Sequence, residues 1–297
     1  MSKIGIIGNG FVGKACQILG ECEKVHCLVY DIDPSKCIPL GITLDDIVHA
    51  DLIFVCVPTP SFASGQCDTS IVETVVQQIK DRWCSFEAHF PGLKMPGIIV
   101  RSTVPPGTCE RLQVIHMPEY LTERNWREDF RLNPVWHVGV PLETCFDHAL
   151  ACHHLENVLR ECKTEGVIRS NEIELEHSNA TEMTKYMRNC MLAARVALCN
   201  EMEAFCRAKG ISYKDVRRMT LQDVRVGSSH TNVPGHDGQR GYGGTCLPKD
   251  LKALVYEMDS TDGVAVPMVL RACDTRNDEI DRPQQDWKQP GRSVSEV

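Results

Sequence analysis

Ile4-Gly5-Ile6-Ile7-Gly8-Asn9-Gly10-Phe11-Val12-Gly13 places a G-x-G-x-x-G turn directly behind a short apolar run. Lys3–Ile7 reads as a strand and Gly10–Leu19 as the start of a helix. In that setting Gly8 makes the tight turn, Gly10 lets the backbone approach a pyrophosphate, and Gly13 lets the helix pack on the sheet. Phe11 and Val12 complete the turn, and phosphates would lie at the helix N-terminus. A second strand, Val25–Tyr30, runs into Asp31, 23 residues after Gly8. A carboxylate there accepts from ribose hydroxyls and repels a 2′-phosphate, which favours NAD over NADP. A glycine turn beside a surface Asp is the plainer alternative, but strand, turn, helix and second strand all fit the dinucleotide pattern.

Working outward, short apolar runs continue to alternate with helical segments. Leu44–His49 reads as helical and Leu52–Val57 as a strand. Asp68 suits the N-cap of a helix through Lys80. Ile98–Thr103, Gln113–Met117 and Trp136–Val140 complete the series, and Arg82–Gly97 reads as a loop. Alternation of this kind predicts an α/β domain, a Rossmann-like doubly wound sheet of parallel strands covered on both faces. The two loops Val57-Pro58-Thr59-Pro60 and Arg101-Ser102-Thr103-Val104-Pro105-Pro106-Gly107-Thr108 fall at strand C-terminal ends, where open α/β sheets bind ligands.

The second half is different. No Gly or Pro occurs from Asn179 to Ala208, and Met183, Met187, Met191, Ala194 and Leu198 recur at helical spacing, with Gly210 placed to end the helix. This predicts one long helix whose Met stripe serves a core or an interface, followed by shorter helices at Tyr213–Leu221 and Leu251–Met258. A Gly-rich loop, Pro234–Gly244, lies between them. The expected organisation is residues 1–175 as an NAD-binding domain, 176–280 as an all-helical domain, and 281–297 as a polar disordered tail.

The chain has 297 residues, a net charge of −8 and 16 cysteines. That length suits two domains. The acidic balance, without a basic run, argues against a nucleic-acid partner. No stretch reads as a secretory or membrane-spanning segment, and the cysteines form no CxxC pair, so a cytoplasmic protein with reduced thiols is expected. Cys16, Cys27, Cys56, Cys190, Cys199 and Cys206 lie on apolar stretches and read as small core residues. Cys145, His148 and Cys152 share a helix face beside His153 and His154. No second ligand pair follows, so no metal site is expected.

Three groups carry chemistry. Pro118-Glu119-Tyr120-Leu121-Thr122-Glu123 sets two carboxylates four residues apart. Lys185 and Asn189 have the same spacing on the long helix, so each pair would share a helical face. Taken alone, surface charge and a snorkelling lysine explain both pairs as well. Gly241-Tyr242-Gly243-Gly244-Thr245-Cys246-Leu247-Pro248-Lys249-Asp250 is poor material for a core. Its glycines permit close backbone approach, its thiol is a nucleophile, and a nearby cation favours the thiolate.

At this loop the chain resembles the UDP-glucose/GDP-mannose dehydrogenase family. The turn GNGFVG, VPTP, STVPPGT, MPEYLTE, the Lys185/Asn189 pair, Asn200-Glu201, Arg225-Val226-Gly227 and GYGGTCLPKD occur in the family's order. The resemblance implies oxidation of the C6 alcohol of a nucleotide sugar to a carboxylate with two NAD per turnover, through a thiohemiacetal and a thioester on Cys246. It implies that Lys185 and Asn189 stabilise the oxyanion, Glu119 serves as acid/base, and Asp250 and Thr103 position water. It further implies that Glu119, Tyr120, Leu121, Glu123, Lys185, Asn189, Tyr242 and Gly243 line the substrate. Pro58, Thr59 and Thr103 would join the glycine turn at the cofactor. Arg225 would reach the substrate of a neighbouring subunit, making the helical domain a dimerisation domain built on the long helix. Residues Ser228–Gln239 are extra relative to that pattern.

Family members carry a further nucleotide-binding unit beyond the long-helix region, and this sequence stops near where it would begin. Two rival readings follow. A two-domain β-hydroxyacid dehydrogenase also uses a Lys-x-x-x-Asn pair and performs one two-electron oxidation, for which Cys246 is unnecessary. A non-catalytic NAD-binding or dimerisation protein is the other.

Overall fold

The structure is a computed structural model that describes residues 1–92, 94–122, 124–143 and 146–288. The chain divides into two units, Met1–Thr59 with Thr69–Lys185, and Pro60–Asp68 with the chain from Tyr186 onward.

The first unit contains, in order, β1 (Ser2–Ile7), α1 (Phe11–Cys16), β2 (Val25–Tyr30), α2 (Leu44–Ile47), β3 (Leu52–Val55) and α3 (Ser70–Glu87). Then come β4 (Gly97–Val100), α4 (Thr108–Leu112), β5 (Ile115–His116), α5 (Trp126–Arg131), β6 (Trp136–Val140), α6 (Phe146–Thr164) and β7 (Ile173–His177). The strands form one sheet in the order β2-β1-β3-β4-β5-β6-β7. The crossover at β1 is the switch point of a Rossmann-like fold. Side-chain alternation explains why the central strands read as unbroken apolar runs. Leu52 and Phe54 of β3 enter a core cluster with Ile4, Ile6 and Ile99. Ile53 and Val55 enter a second cluster with Ile7, Ile98 and Val100. Both faces are covered, so neither needs polar residues.

Four sequence expectations for this unit change. Trp136–Val140 does not close the sheet, because Ile173–His177 pairs with it in parallel. The sheet is not wholly parallel, since β5 and β6 run antiparallel. The stretch from Arg82 is not loop throughout: α3 continues to Glu87 because Trp83 is buried beneath it. The segment after the glycine turn is a short α-helix that tightens into a 3₁₀ turn at Gln17–Glu21.

The second unit is helical. α7 (Ser178–Ala208) begins in the first unit and continues here, followed by α8 (Tyr213–Thr220), α9 (Leu247–Asp259) and α10 (Met268–Arg276). Its core joins Tyr186, Cys190, Ala193 and Ala197 of α7 to Tyr242, Leu251 and Leu254. The Met stripe is not that core: Met187, Met191 and Leu198 are each more than half exposed. Asn277–Asp281 ends the helical domain in a π-turn. The tail expected from Asp281 changes: Asp286–Lys288 forms a 3₁₀ turn and Trp287 is fully buried. Residues 289–297 lie outside the described part. Among the described residues, no helix is long and apolar enough to cross a membrane.

Candidate active site

Close packing dictates the glycines of the first turn. Gly8 has φ +94°, and a Cβ there would meet the Cys56 carbonyl at 2.5 Å. A Cβ on Gly13 would stand 1.9 Å from the Gly8 carbonyl, so α1 could not begin where it does. Gly10 faces open space, as a cradle for a ligand requires. Phe11 and Val12 follow it, both half-buried. Asp31 is tied to this turn: its carboxylate accepts from Asn9 N at 2.6 Å and Asp33 N at 2.9 Å. The remaining lone pairs suit ribose hydroxyls, so the turn and Asp31 fit a dinucleotide.

The loops after β3 and β4 are stitched together. Thr59 Oγ1 donates to the Thr103 carbonyl at 2.8 Å, and Ser102 Oγ to the Val57 carbonyl at 2.6 Å. Pro58 is exposed beside them. Thr103 therefore stands at the C-terminal edge of the sheet, with the cofactor turn.

Lys185 is not a snorkelling surface lysine. Its Nζ donates to Glu119 Oε1 at 2.8 Å, and the two side chains are 5% and 4% exposed. Glu119 Oε2 accepts from Leu121 N at 2.7 Å. Nearby, His116 is fully buried. Burial, with the charges of Arg101 and Lys185, pushes its pKa down to about 3, so the ring is neutral. Thr181 Oγ1, itself donating to Ser178 O, accepts from His116 Nδ1 at 2.9 Å.

The second unit holds the thiol. Cys246 is the N-cap residue of α9, with Thr245 Oγ1 3.6 Å from its Sγ. A helix N-terminus favours a thiolate. One turn along, Asp250 is buried. Its Oδ2 accepts from Asn189 Nδ2 at 2.6 Å and its Oδ1 from Lys249 Nζ at 2.7 Å. Burial opposes the Lys249 ammonium, but Asp250, Cys67 and Cys246 outweigh it and its pKa lies above the ordinary lysine value. α9 starts at Leu247 rather than Leu251, because Pro248 sits in the first turn, where proline needs no N–H partner.

The remaining expected residues are placed as follows. The Tyr120 ring meets the edge of His137, and Leu121 packs against the first core cluster. Tyr242 turns its ring into the second unit's core and donates its hydroxyl to the Cys273 carbonyl at 3.2 Å, so only its backbone borders the Cys246 loop. Gly243 lies against the Arg282 guanidinium. Arg225 is exposed and paired with Asp223 at 2.5 Å. Glu123 lies outside the described residues, as does Cys145. Among the described residues, no three His, Cys, Asp or Glu side chains are grouped to hold a metal.

Sequence reasoning overlooked two buried ionisable groups, His116 and Glu182. Glu182 is fully buried and accepts from Gly107 N and Cys109 N, each at 2.7 Å. A carboxylate three residues before Lys185 on the same helix was the available signal.

Two family profiles match the chain: the NAD binding domain of the UDP-glucose/GDP-mannose dehydrogenase family over residues 39–151, and its central domain over residues 179–279. The chain belongs to that family. NAD is the cofactor of its first unit. A Bacillus subtilis protein described as putative UDP-glucose 6-dehydrogenase YtcA is 29% identical over 315 residues, covering 93% of this chain and 67% of its own. A Pseudomonas aeruginosa UDP-glucose 6-dehydrogenase is 28% identical over 251 residues, covering 78% and 49%. The chain thus spans about half to two thirds of the length of these relatives. The fold matches that of a UDP-glucose dehydrogenase from Pyrobaculum islandicum with a TM-score of 0.72, at 21% identity over 92% of this chain and 68% of that one.

Proposed function

We propose that this protein oxidises the C6 alcohol of a nucleotide sugar to the carboxylate, with UDP-glucose as first candidate and UDP-glucuronate as product. The observation that carries this reading is the thiol of Cys246 at the N-terminus of α9, one turn from the buried Asn189–Asp250–Lys249 cluster. A single alcohol oxidation needs no thiol; stopping at a captured aldehyde and continuing to an acid does.

The atoms balance as follows. NAD, held at the glycine turn and Asp31, would supply the hydride acceptor for each oxidation, two per sugar. In the first, the alcohol loses its proton to a base and its C6 hydride, leaving an aldehyde. The Cys246 sulfur adds to the carbonyl carbon, and Lys185 offsets the charge on the oxygen. Loss of the second hydride from that thiohemiacetal leaves a thioester. Water adds to the thioester as a base takes one of its protons, the C–S bond breaks, the other proton goes to the Cys246 sulfur, and the carboxylate is released. Glu119, held by Lys185 and the Leu121 N–H, suits the proton transfers of hydrolysis. Asp250, held by two donors, suits the placing of water, with Thr103.

Glu119, Tyr120, Leu121, Glu123, Lys185, Asn189 and Gly243 are proposed to border the sugar, and Arg225 to act from a second copy. The exposed Met187, Met191, Leu198 and Phe205 of α7 suit a homodimer through that helix. A cytoplasmic setting suits thiols that must stay reduced. The test is NADH release across a panel of nucleotide sugars, with acid product quantified. Two NADH per sugar supports the proposal. One NADH per hydroxyacid supports the β-hydroxyacid reading, and NAD binding without release from any sugar supports a non-catalytic role.

A further inference from the structure

The segment after α10 grips the nucleophile loop through its backbone. Asn277 is 1% exposed. Its Oδ1 accepts from Tyr242 N at 2.8 Å, and its Nδ2 donates to the Tyr242 carbonyl at 3.0 Å. One carboxamide thus satisfies both backbone groups of a residue four positions before Cys246, as a neighbouring strand would. A second carboxamide assists from α7: Asn200 Oδ1 accepts from Gly241 N at 3.2 Å, while its Nδ2 donates to the Val196 carbonyl.

The next residue of the loop is held sterically. A Cβ on Gly243 would meet the Arg282 guanidinium carbon at 2.4 Å. Arg282 is 4% exposed and cannot swing aside easily, because it pairs with Asp286 at 2.5 Å and with Asp237 at 2.7 Å. Arg240, just before the loop, pairs with Glu203 and Asp281 and donates to the Asn200 carbonyl at 3.0 Å. Fully buried Trp287 closes the segment.

We propose that Asn277 is the positioning residue of the Cys246 loop, and that with Arg282 it fixes where the thiol stands relative to the N-terminus of α9 and Lys249. Asn277 touches no reacting atom; it acts through the Tyr242 backbone. The inference rests on Cys246 as nucleophile. It gives the polar segment 277–287 a task in catalysis beyond closing the second unit's core. A buried amide at this place costs free energy unless both its donor and its acceptor are used, and both are used on one residue of the loop.

The test is the rate of Cys246 alkylation by iodoacetamide against pH, resolved by peptide mass spectrometry, in the full chain and in Asn277→Ala. The substitution is neutral, so no new charge acts on the thiol. The ionisable groups around the loop include Lys249 and Asp250 on α9, Asp274 and Asp278 near Tyr242, and Arg240, Glu203, Arg282, Asp237, Asp281 and Asp286. Once the grip is lost, the Cys246 side chain no longer keeps its orientation over the first N–H groups of α9, the midpoint of the profile rises by about one pH unit, and alkylation becomes roughly tenfold slower at pH 7. A variant of unchanged melting temperature whose profile overlays the parent overturns the proposal. Should the variant not fold, amide exchange in the parent decides. Protection of the Tyr242 amide equal to that of α9 supports the proposal, and exchange at the rate of the exposed 224–230 stretch overturns it. Alkylation reads the thiol whether or not sugar turns over. A shifted profile without acid product leaves the positioning role and removes the proposed reaction; acid product with an unmoved profile does the reverse.

Discussion

Lys185 and Glu119 form a buried ion pair, Nζ to Oε1 2.8 Å, in which the carboxylate's other oxygen takes a backbone N–H. Removing the cation leaves a desolvated carboxylate with one donor. Lys185→Ala is expected to lower unfolding free energy by about 3 kcal/mol, whereas Glu119→Gln, which keeps an acceptor for Leu121 N, costs clearly less. Urea denaturation of both variants checks this, and equal losses would show that the pair is not the unit.

Cys246→Ser keeps the loop backbone and removes the nucleophile. NADH binding, followed by fluorescence, is expected to match the parent, while acid product falls below detection. Substantial acid from this variant removes Cys246 from the mechanism.

The cofactor turn is intolerant of one methyl group. In Gly13→Ala the new Cβ would stand 1.9 Å from the Gly8 carbonyl, so α1 must shift away from the phosphate turn. NADH affinity is expected to fall at least about tenfold, equivalent to roughly 1.4 kcal/mol. Asp31→Ser should narrow the preference for NADH over NADPH, because the charge that repels a 2′-phosphate is gone. Parallel titrations with the two nucleotides measure it.

These predictions rest unevenly on what the sequence displays. The glycine turn and Asp31 are legible because they are local: spacing along one strand-turn-helix fixes them. Cys246 is legible because a thiol among glycines fits no core. Less local features escape. Ile173–His177 is an edge strand exposed on both faces beyond Ile173, so it has no continuous apolar run like those of the central strands. The antiparallel register of β5 depends on the path of the chain between Met117 and Trp136, which no residue announces. Arg282 looks like part of a solvated tail, and Asn277 goes unnoticed at the end of the helical domain, because their partners, Asp237 and Tyr242, lie some 35 to 45 residues upstream. Burial of polar side chains is a tertiary property, and composition alone reads them as exposed.

Glu182 sets a pH dependence of stability. Burial pushes its pKa up to about 7, above the ordinary glutamate value, although the Gly107 and Cys109 N–H groups pull the other way. The folded state therefore holds this proton where the unfolded chain releases it. The stabilising contribution is complete below about pH 4.5 and is lost as pH rises through about 7, on the order of 2 kcal/mol over the window. His116 works in the opposite sense: with a folded pKa of about 3, its contribution is complete above the ordinary histidine value and is lost as pH falls toward 3. The two slopes partly cancel in the parent between pH 4.5 and 6.5, so a flat parent profile is no objection. Glu182→Gln cannot titrate, so its stability should rise more steeply with pH than the parent's across that interval, governed by His116. Unfolding free energies of both proteins at half-unit steps from pH 4.5 to 7.5 measure the difference. Two profiles that run parallel would mean that Glu182 is already ionised in the fold and that its two backbone donors, not burial, decide its charge.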